Sequence, residues 1–249
     1  MDMSDIALHF AGVEKRYAGA PALADFSLDV RPGEFFGLVG VNGAGKTTLI
    51  KCLLDFCDVD GGAIEIFAVP HRATAARARL AYLPERFNPP FYLTGRDFIR
   101  YMLELYRTSY DEARVARMFG ALDLELSALE RPARTFSKGM TQKLGLAACL
   151  LSGKDLYVLD EPAGGLDPKA RALLKLELKA LQRAGRTVFF TSHALADVAE
   201  LCDRMAVLHA GRLRFAGTPR ELAGRYGASD LEQAFLACIA ADAATAATP

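Results

Sequence analysis

Three glycines, a lysine and a threonine crowd into eight residues at Gly40-Val41-Asn42-Gly43-Ala44-Gly45-Lys46-Thr47. Binding a polyphosphate needs donors without side-chain bulk. Glycines let the backbone curl so that several N–H groups converge, at the start of a helix whose dipole favours anions. Gly40 and Gly45 bracket four residues ahead of Lys46 and Thr47, the P-loop spacing. Lys46 would supply a point charge at the β- and γ-phosphates, and Thr47 a hydroxyl for Mg²⁺. The bland alternative is a glycine-rich turn with a surface lysine. An apolar strand-like run before it, Phe35 to Val39, and a helix-like run after it both argue against that.

A second chemistry-bearing pair follows another apolar run. Leu156 to Leu159 reads as a central strand delivering Asp160 and Glu161 to its C-terminal end, where open α/β sheets bind ligands. Asp160 would hold Mg²⁺ through its water shell, and Glu161 would polarise an attacking water. His193 follows a third apolar run, Val188-Phe189-Phe190, as Thr191-Ser192-His193. A lone histidine is more often structural, but a strand end of this kind is where a γ-phosphate would lie. His9, His71 and His209 lack that context and read as structural or surface groups.

The elements that must position these residues follow from local pattern. Short β-like runs open the chain at Ile6 to Phe10, Val13 to Tyr17 and Phe26 to Val30. The Pro32-Gly33 turn then leads into Phe35 to Val39, apolar on both faces as a buried strand is. A helix is expected from Lys46 through Leu54 and a strand over Ala63 to Phe67. From Arg86 to Leu151 the pattern turns helical. Thr94 is a candidate N-cap with Asp97 three positions on, resembling a capping box. Phe98, Met102, Leu105 and Tyr106 continue it as an apolar stripe. Helices are also expected over Asp111 to Phe119, Leu122 to Leu129, Lys169 to Arg183 and Ala194 to Leu201. Strands return at Leu156 to Leu159 and Thr187 to Thr191. Met205 to Leu208 and Arg212 to Phe215 read as a hairpin around Ala210-Gly211. A last helix follows Gly227, and an Ala/Thr-rich tail, Ala240 to Pro249, is expected to be mobile. Alternating strands and helices in the second half imply a largely parallel sheet.

Composition narrows the function classes. Thirty basic residues balance thirty acidic ones in 249. That argues against a nucleic-acid binder that works by neutralising phosphates, and no nucleic acid is expected as a partner. The longest apolar stretch, Leu144 to Leu151, is far too short to span a membrane. The acidic opening, Met1 to Asp5, does not read as a signal peptide. Five cysteines without a CxxC spacing read as buried reduced thiols. The expectation is a soluble cytoplasmic protein.

Taken together, these segments resemble the nucleotide-binding subunit of an ATP-binding-cassette transporter, over a stretch from about Ile6 to Leu222. Phe136-Ser137-Lys138-Gly139-Met140 resembles the family signature, with Lys138 and Met140 where glycine and glutamine are commonest. That variant resembles the exporter-type, ABC-2-like branch. Gly165-Leu166-Asp167 resembles the D-loop, Thr191-Ser192-His193 the switch region, and Tyr17 the aromatic that stacks on adenine. Tyr17 also has a plain reading, as an aromatic on a strand face. Tyr82-Leu83-Pro84-Glu85 occupies the Q-loop, with Glu85 where the family usually has glutamine. Glu85 would bind the metal more tightly or be held off by a cation such as Arg86.

The resemblance implies an α/β fold: a P-loop NTPase core with a largely parallel sheet, an N-terminal antiparallel β subdomain and an inserted α-helical subdomain. The ATPase domain would span 1–227, with 86–151 as the helical subdomain, followed by a C-terminal helix and tail over 228–249. It implies ATP and Mg²⁺ as cofactors. ATP would be held by Tyr17, residues Gly40 through Thr48, Ser137, Lys138 and Gly139, and the metal by Thr47, Asp160 and Glu85. Glu161 and His193 would be catalytic. It also implies a homodimer, or a pair with a related subunit, closing on two ATP with Ser137 and Gly139 facing the partner's P-loop. A separate transmembrane permease would hold the pair at the inner face of the cell membrane.

The stretch Arg86 to Leu93 mixes aromatics with prolines. It reads equally as a groove for a helix of that permease or as a cap over the domain's own core. Rival functions are weaker. A soluble cassette ATPase of DNA repair, chromosome maintenance or translation usually carries a coiled-coil insertion, zinc-binding cysteines or two cassettes. A GTPase would need an Asn-Lys-x-Asp segment, which is missing here, and a small-molecule kinase has no use for Ser137-Lys138-Gly139. A sensor that never hydrolyses has no need of Glu161 and His193.

Overall fold

The structure, a computed structural model, describes residues 6–245. The acidic opening at 1–5 and the last four residues of the Ala/Thr-rich tail lie outside the described residues. The described residues form two compact units, one of those up to 77 with those from 187 onward, the other of residues 78–186. Among the described residues no helix is long and apolar enough to cross a membrane.

The first unit carries an antiparallel sheet with strand order β2-β1-β4-β5: β1 Leu8–Tyr17, β2 Ala20–Val30, β4 Gly61–Ile66 and β5 Val69–Pro70. The two opening strands expected from sequence are one. The ladder shifts register between Phe10 and Val13, and Gly12 (φ 57) donates its N–H to Ser27 Oγ at 2.8 Å. A bulge bends the strand without ending it.

Beside this sheet run β3 Phe35–Val39, β8 Thr187–Ser192, β9 Arg204–His209 and β10 Arg212–Gly217, in the order β10-β9-β3-β8. β3 is parallel to both β8 and β9, while β9 and β10 form the expected antiparallel hairpin. β3 and β8 are buried on both faces, so their unbroken apolar runs match their central place. Phe36 stacks on Phe189 at 6.0 Å, and Phe10 lies edge-on to Phe26 at 5.6 Å. Each such ring, fully buried, contributes about 2–3 kcal/mol. α1 Lys46–Leu53, α6 Leu195–Leu201, α7 Pro219–Arg225 and α8 Leu231–Thr245 complete the unit. α8 continues through the start of the stretch expected to be a mobile tail. α7 is an addition to the expected elements, although its full capping box at Thr218 and Glu221 is a readable signal.

In the second unit β6 Leu80–Leu83 and β7 Leu156–Asp160 are parallel and in register from Leu80 opposite Leu156 to Leu83 opposite Leu159. The helices are α2 Gly95–Leu105, α3 Glu112–Ala121, α4 Lys138–Leu151 and α5 Pro168–Arg183. Thr94 caps α2, accepting the Asp97 N–H at 3.1 Å. Asp97 in turn accepts from the Thr94 hydroxyl, not from its backbone, so the box is half formed. The helix expected over Leu122–Leu129 is only a 3-10 turn, Leu126–Glu130. Asp123 (φ 53) takes the left-handed conformation, and the Leu124 N–H reaches back to Phe119 O at 2.8 Å. This Schellman reversal closes α3 and sends the apolar residues after it into a turn.

Candidate nucleotide-binding site

In the first unit, β3 delivers the loop Gly40 to Gly45 and α1 begins at Lys46. The glycines are required by space and conformation. A Cβ on Gly40 would lie 2.4 Å from Leu208 O, and one on Gly45 would lie 2.6 Å from Ala22 O at φ 112. No side chain caps α1, and no acidic residue stands in its first turn, so its leading N–H groups face no built-in anion. Lys46 is buried, and its ammonium donates to Gly40 O at 2.7 Å and Val41 O at 3.5 Å. Two neutral carbonyls are thin compensation for a buried cation. Val41, Asn42 and Gly43 are exposed, Ala44 is buried, and Thr47 and Thr48 are partly exposed.

The loop is latched from behind: the Gly211 N–H, in the β9–β10 turn, donates to Ala44 O at 3.0 Å. Sequence reading missed this latch. It identified the Ala210-Gly211 turn, but nothing local says what such a turn will meet. His193 is exposed one residue beyond β8, whose Ser192 is in register with Val39, so it stands at the same sheet end as Gly40. Tyr17, at the end of β1, is about half exposed, with Lys15 Nζ 5.5 Å from its ring centre. Its hydroxyl donates to Cys57 Sγ at 3.6 Å and also interacts with Thr48 in the first turn of α1. The hydrogen bond to Cys57 and burial raise its pKa.

In the second unit, Asp160 ends β7 fully buried. Glu161 follows at φ 49, a strained conformation for a residue with a side chain, which sharply redirects the chain. Glu85, two residues past β6, is exposed, as is its neighbour Arg86. Burial first, then the charges of Asp160 and Glu85, push the Tyr82 phenol up to about 12. Both carboxylates thus load one strand end with negative potential, the environment a cation needs.

Ser137 caps α4, accepting the Met140 N–H at 3.2 Å, which leaves its own O–H free to donate outward. Ser137 and Lys138 are exposed, and a Cβ on Gly139 would meet nothing closer than Gly165 O at 3.8 Å. The signature segment therefore lies against Gly165 of the D-loop-like turn. Gln142 ties α4 to the strand-end loop by donating to Pro162 O at 3.1 Å, a link that sequence reading also missed. The segment after β6 divides. Phe87 packs edge-on to Phe98 at 5.4 Å and within about 3 Å of where a Gly145 Cβ would stand, so it caps the unit's own core. Phe91 and Tyr92 are each 66% exposed.

The profile of the family described as ABC transporter matches residues 23–164, more than half of the chain. This chain belongs to the ABC transporter family. An uncharacterised ABC transporter ATP-binding protein of Synechocystis sp. is 39% identical over 209 residues, covering 82% of this chain and 58% of that protein. The Nod factor export ATP-binding protein I of Burkholderia orbicola is 38% identical over 226 residues, covering 88% of this chain and 73% of that protein. This ABC family member thus spans about three fifths of the length of the first relative. Among solved structures, one described as the ATP-binding subunit of an ABC transporter superposes with a TM-score of 0.82 at 30% identity, over 93% of this chain and 99% of that one. An ATP-binding cassette solved as a dimer bound to ADP and Pi superposes at 0.78 with 20% identity, a likeness of fold.

Proposed function

We propose that this chain is the ATP-binding and ATP-hydrolysing subunit of a transporter, that it pairs around two ATP, and that it drives a separate membrane subunit from the cytoplasmic face of the membrane. The observation that carries the reading is Lys46: a buried ammonium at an uncapped helix start, answered only by two backbone carbonyls. Such a site stabilises an incoming polyphosphate because both the charge and the N–H groups already point there.

Each residue then has a task. Gly40 to Thr48 cradle the phosphates, and Tyr17 offers its exposed face to the adenine. Thr47 would offer its hydroxyl to Mg²⁺, Asp160 would hold the ion through its water shell, and Glu85 would add negative potential. When bound, Mg²⁺ would neutralise charge on the phosphate oxygens. Glu161 takes a proton from the attacking water, and His193 donates toward the γ-phosphate. Ser137, with the N–H groups of Lys138 and Gly139, donates to the γ-phosphate held by a second copy. ATP is then shared across the pair, and its hydrolysis removes the bridge. The exporter-type signature and the export protein among the relatives support outward transport. Exposed Phe91 and Tyr92 are the proposed contact for the membrane subunit.

Phosphate release by the purified chain, with and without Mg²⁺, tests the reading. Glu161→Gln should lower turnover by at least about 100-fold while keeping nucleotide affinity. It should also elute as a dimer only when ATP is present. Unchanged turnover in that variant, with no ATP-dependent dimer, overturns the proposal.

A further inference from the structure

α1 ends in a turn that brings two thiols together. Leu54 closes the helix and Asp55 adopts φ 61. The Asp55 N–H donates to Cys52 O at 3.1 Å and the Phe56 N–H to Lys51 O at 2.8 Å. This Schellman reversal folds the chain back on its own last turn. Cys57 consequently returns to Cys52, with the two sulfurs 3.6 Å apart. No other pair of sulfurs is in contact among the described residues. Cys149 and Cys238 are buried. Cys202 is packed where a Gly37 Cβ would lie 2.7 Å from its sulfur, and burial holds its thiol well above the usual range. Those three behave as inert core thiols.

The pair is joined to the nucleotide-base seat. Cys57 Sγ accepts the Tyr17 hydroxyl at 3.6 Å. The loop that carries Cys57 is anchored at both ends. Asp55 pairs with Arg77 at 3.6 Å, and Asp60 accepts the Arg16 N–H at 2.6 Å and Lys15 Nζ at 3.2 Å. Residues 56–59 between those anchors form no helix or strand, and Asp58 among them accepts from Arg72 at 2.9 Å. Cys57 is partly exposed, whereas Cys52 is buried.

We propose that Cys52 and Cys57 form a reversible dithiol–disulfide switch, closed by hydroperoxide, that weakens nucleotide binding by withdrawing Cys57 from Tyr17. The chemistry balances in two steps. The Cys57 thiolate attacks the peroxide O–O bond, giving Cys57 sulfenic acid and, from hydrogen peroxide, one water once a proton is taken up. The Cys52 thiol then attacks that sulfur, forming the S–S bond and releasing a second water. Two thiols are oxidised and one peroxide is reduced. Burial, and then the bond to Cys57, push Cys52 up to about 12, so it attacks slowly and is the resolving partner rather than the sensor. Closing the bond draws the sulfurs from 3.6 Å to about 2.0 Å and pulls the 56–59 segment toward α1. Tyr17 then loses Cys57, one of the two partners of its hydroxyl, the other being Thr48. The coupling rests on the reading of Tyr17 as the adenine platform.

The test uses the full chain, hydrogen peroxide and a fluorescent trinitrophenyl ATP analogue. Peroxide should lower the intact mass by about 2 Da, with a Cys52–Cys57 crosslinked peptide, and weaken analogue binding about tenfold, reversed by dithiothreitol. The affinity of Cys57→Ser should not respond to peroxide. Cys52→Ala provides a second variant that cannot close the bond, should serine at 57 perturb the fold. Absence of the crosslink overturns the switch, and a crosslink with unchanged affinity overturns its coupling to nucleotide. Tyr17→Ala in reduced protein tests the platform alone. If it binds the analogue as tightly as the parent, the adenine reading of Tyr17 fails and the coupling fails with it, while the crosslink result stands independently.

Discussion

Single residues carry the phosphate loop, and their identities follow from backbone geometry more than from contact with ligand. Gly45 combines φ 112 with a carbonyl oxygen, Ala22 O, 2.6 Å from where a Cβ would be. Gly45→Ala should therefore cost about 2–3 kcal/mol in stability and also weaken ATP binding, read from the urea midpoint and from nucleotide titration. A variant with parental stability would mean the loop has another conformation available. Glu85 and Arg86 are both exposed, and, after burial, the charge of Glu85 adds to that of Asp160 in raising the Tyr82 phenol. Glu85→Gln should accordingly raise the Mg²⁺ concentration needed for half-maximal turnover several-fold, and an unchanged Mg²⁺ requirement would reject that role.

Elements hold these residues through caps and reversals, and several of those rest on carboxylates. Asp60, which fastens the loop after α1 to β1, is held below the usual carboxylate range first by the Arg16 N–H and then by Lys15. Glu221, in the capping box of α7, is held down first by the Thr218 N–H and then by the Thr218 hydroxyl. Depressed folded-state values mean that the unfolded chain binds these protons more readily. The stabilisation is present above the ordinary carboxylate range and is lost as pH falls through the folded values. The melting temperature should be level from pH 6 to 8 and fall below about pH 4.5. Asp60→Asn with Glu221→Gln should make that fall shallower; an equal slope would place the acid lability elsewhere.

These elements also mark what sequence can reveal. The strands Phe35–Val39 and Leu156–Asp160 were legible because burial on both faces leaves an unbroken apolar run. The P-loop was legible because its geometry is written in local glycine spacing. The helix expected over Leu122–Leu129 was not there, because Asp123 in the left-handed region outweighs apolar periodicity. The Gly211 latch on Ala44 and the Gln142 bond to Pro162 were illegible, since each joins segments remote in sequence.

At the scale of the whole molecule, the question is where force leaves the protein. The chain has no net charge, so a nonspecific electrostatic embrace of a membrane or partner is a poor means of docking. Apolar contact is the alternative, and the aromatic segment after β6 divides cleanly by exposure. Phe87 supports the core of its own unit through Phe98 and Gly145, whereas Phe91 and Tyr92, each 66% exposed, stack edge-on to one another at 5.5 Å. An exposed aromatic pair on a proline-stiffened segment loses little conformational freedom when it docks, which makes it an efficient anchor. Phe91→Ser with Tyr92→Ser should weaken assembly with the proposed membrane subunit at least about tenfold, while leaving melting temperature and ATP affinity unchanged. Phe87→Ser should act in the opposite way, lowering stability by about 2–4 kcal/mol through the cavity it leaves. Co-purification from membranes, run beside thermal melts of both variants, separates the two roles. If the double variant assembles normally, force must leave through another surface.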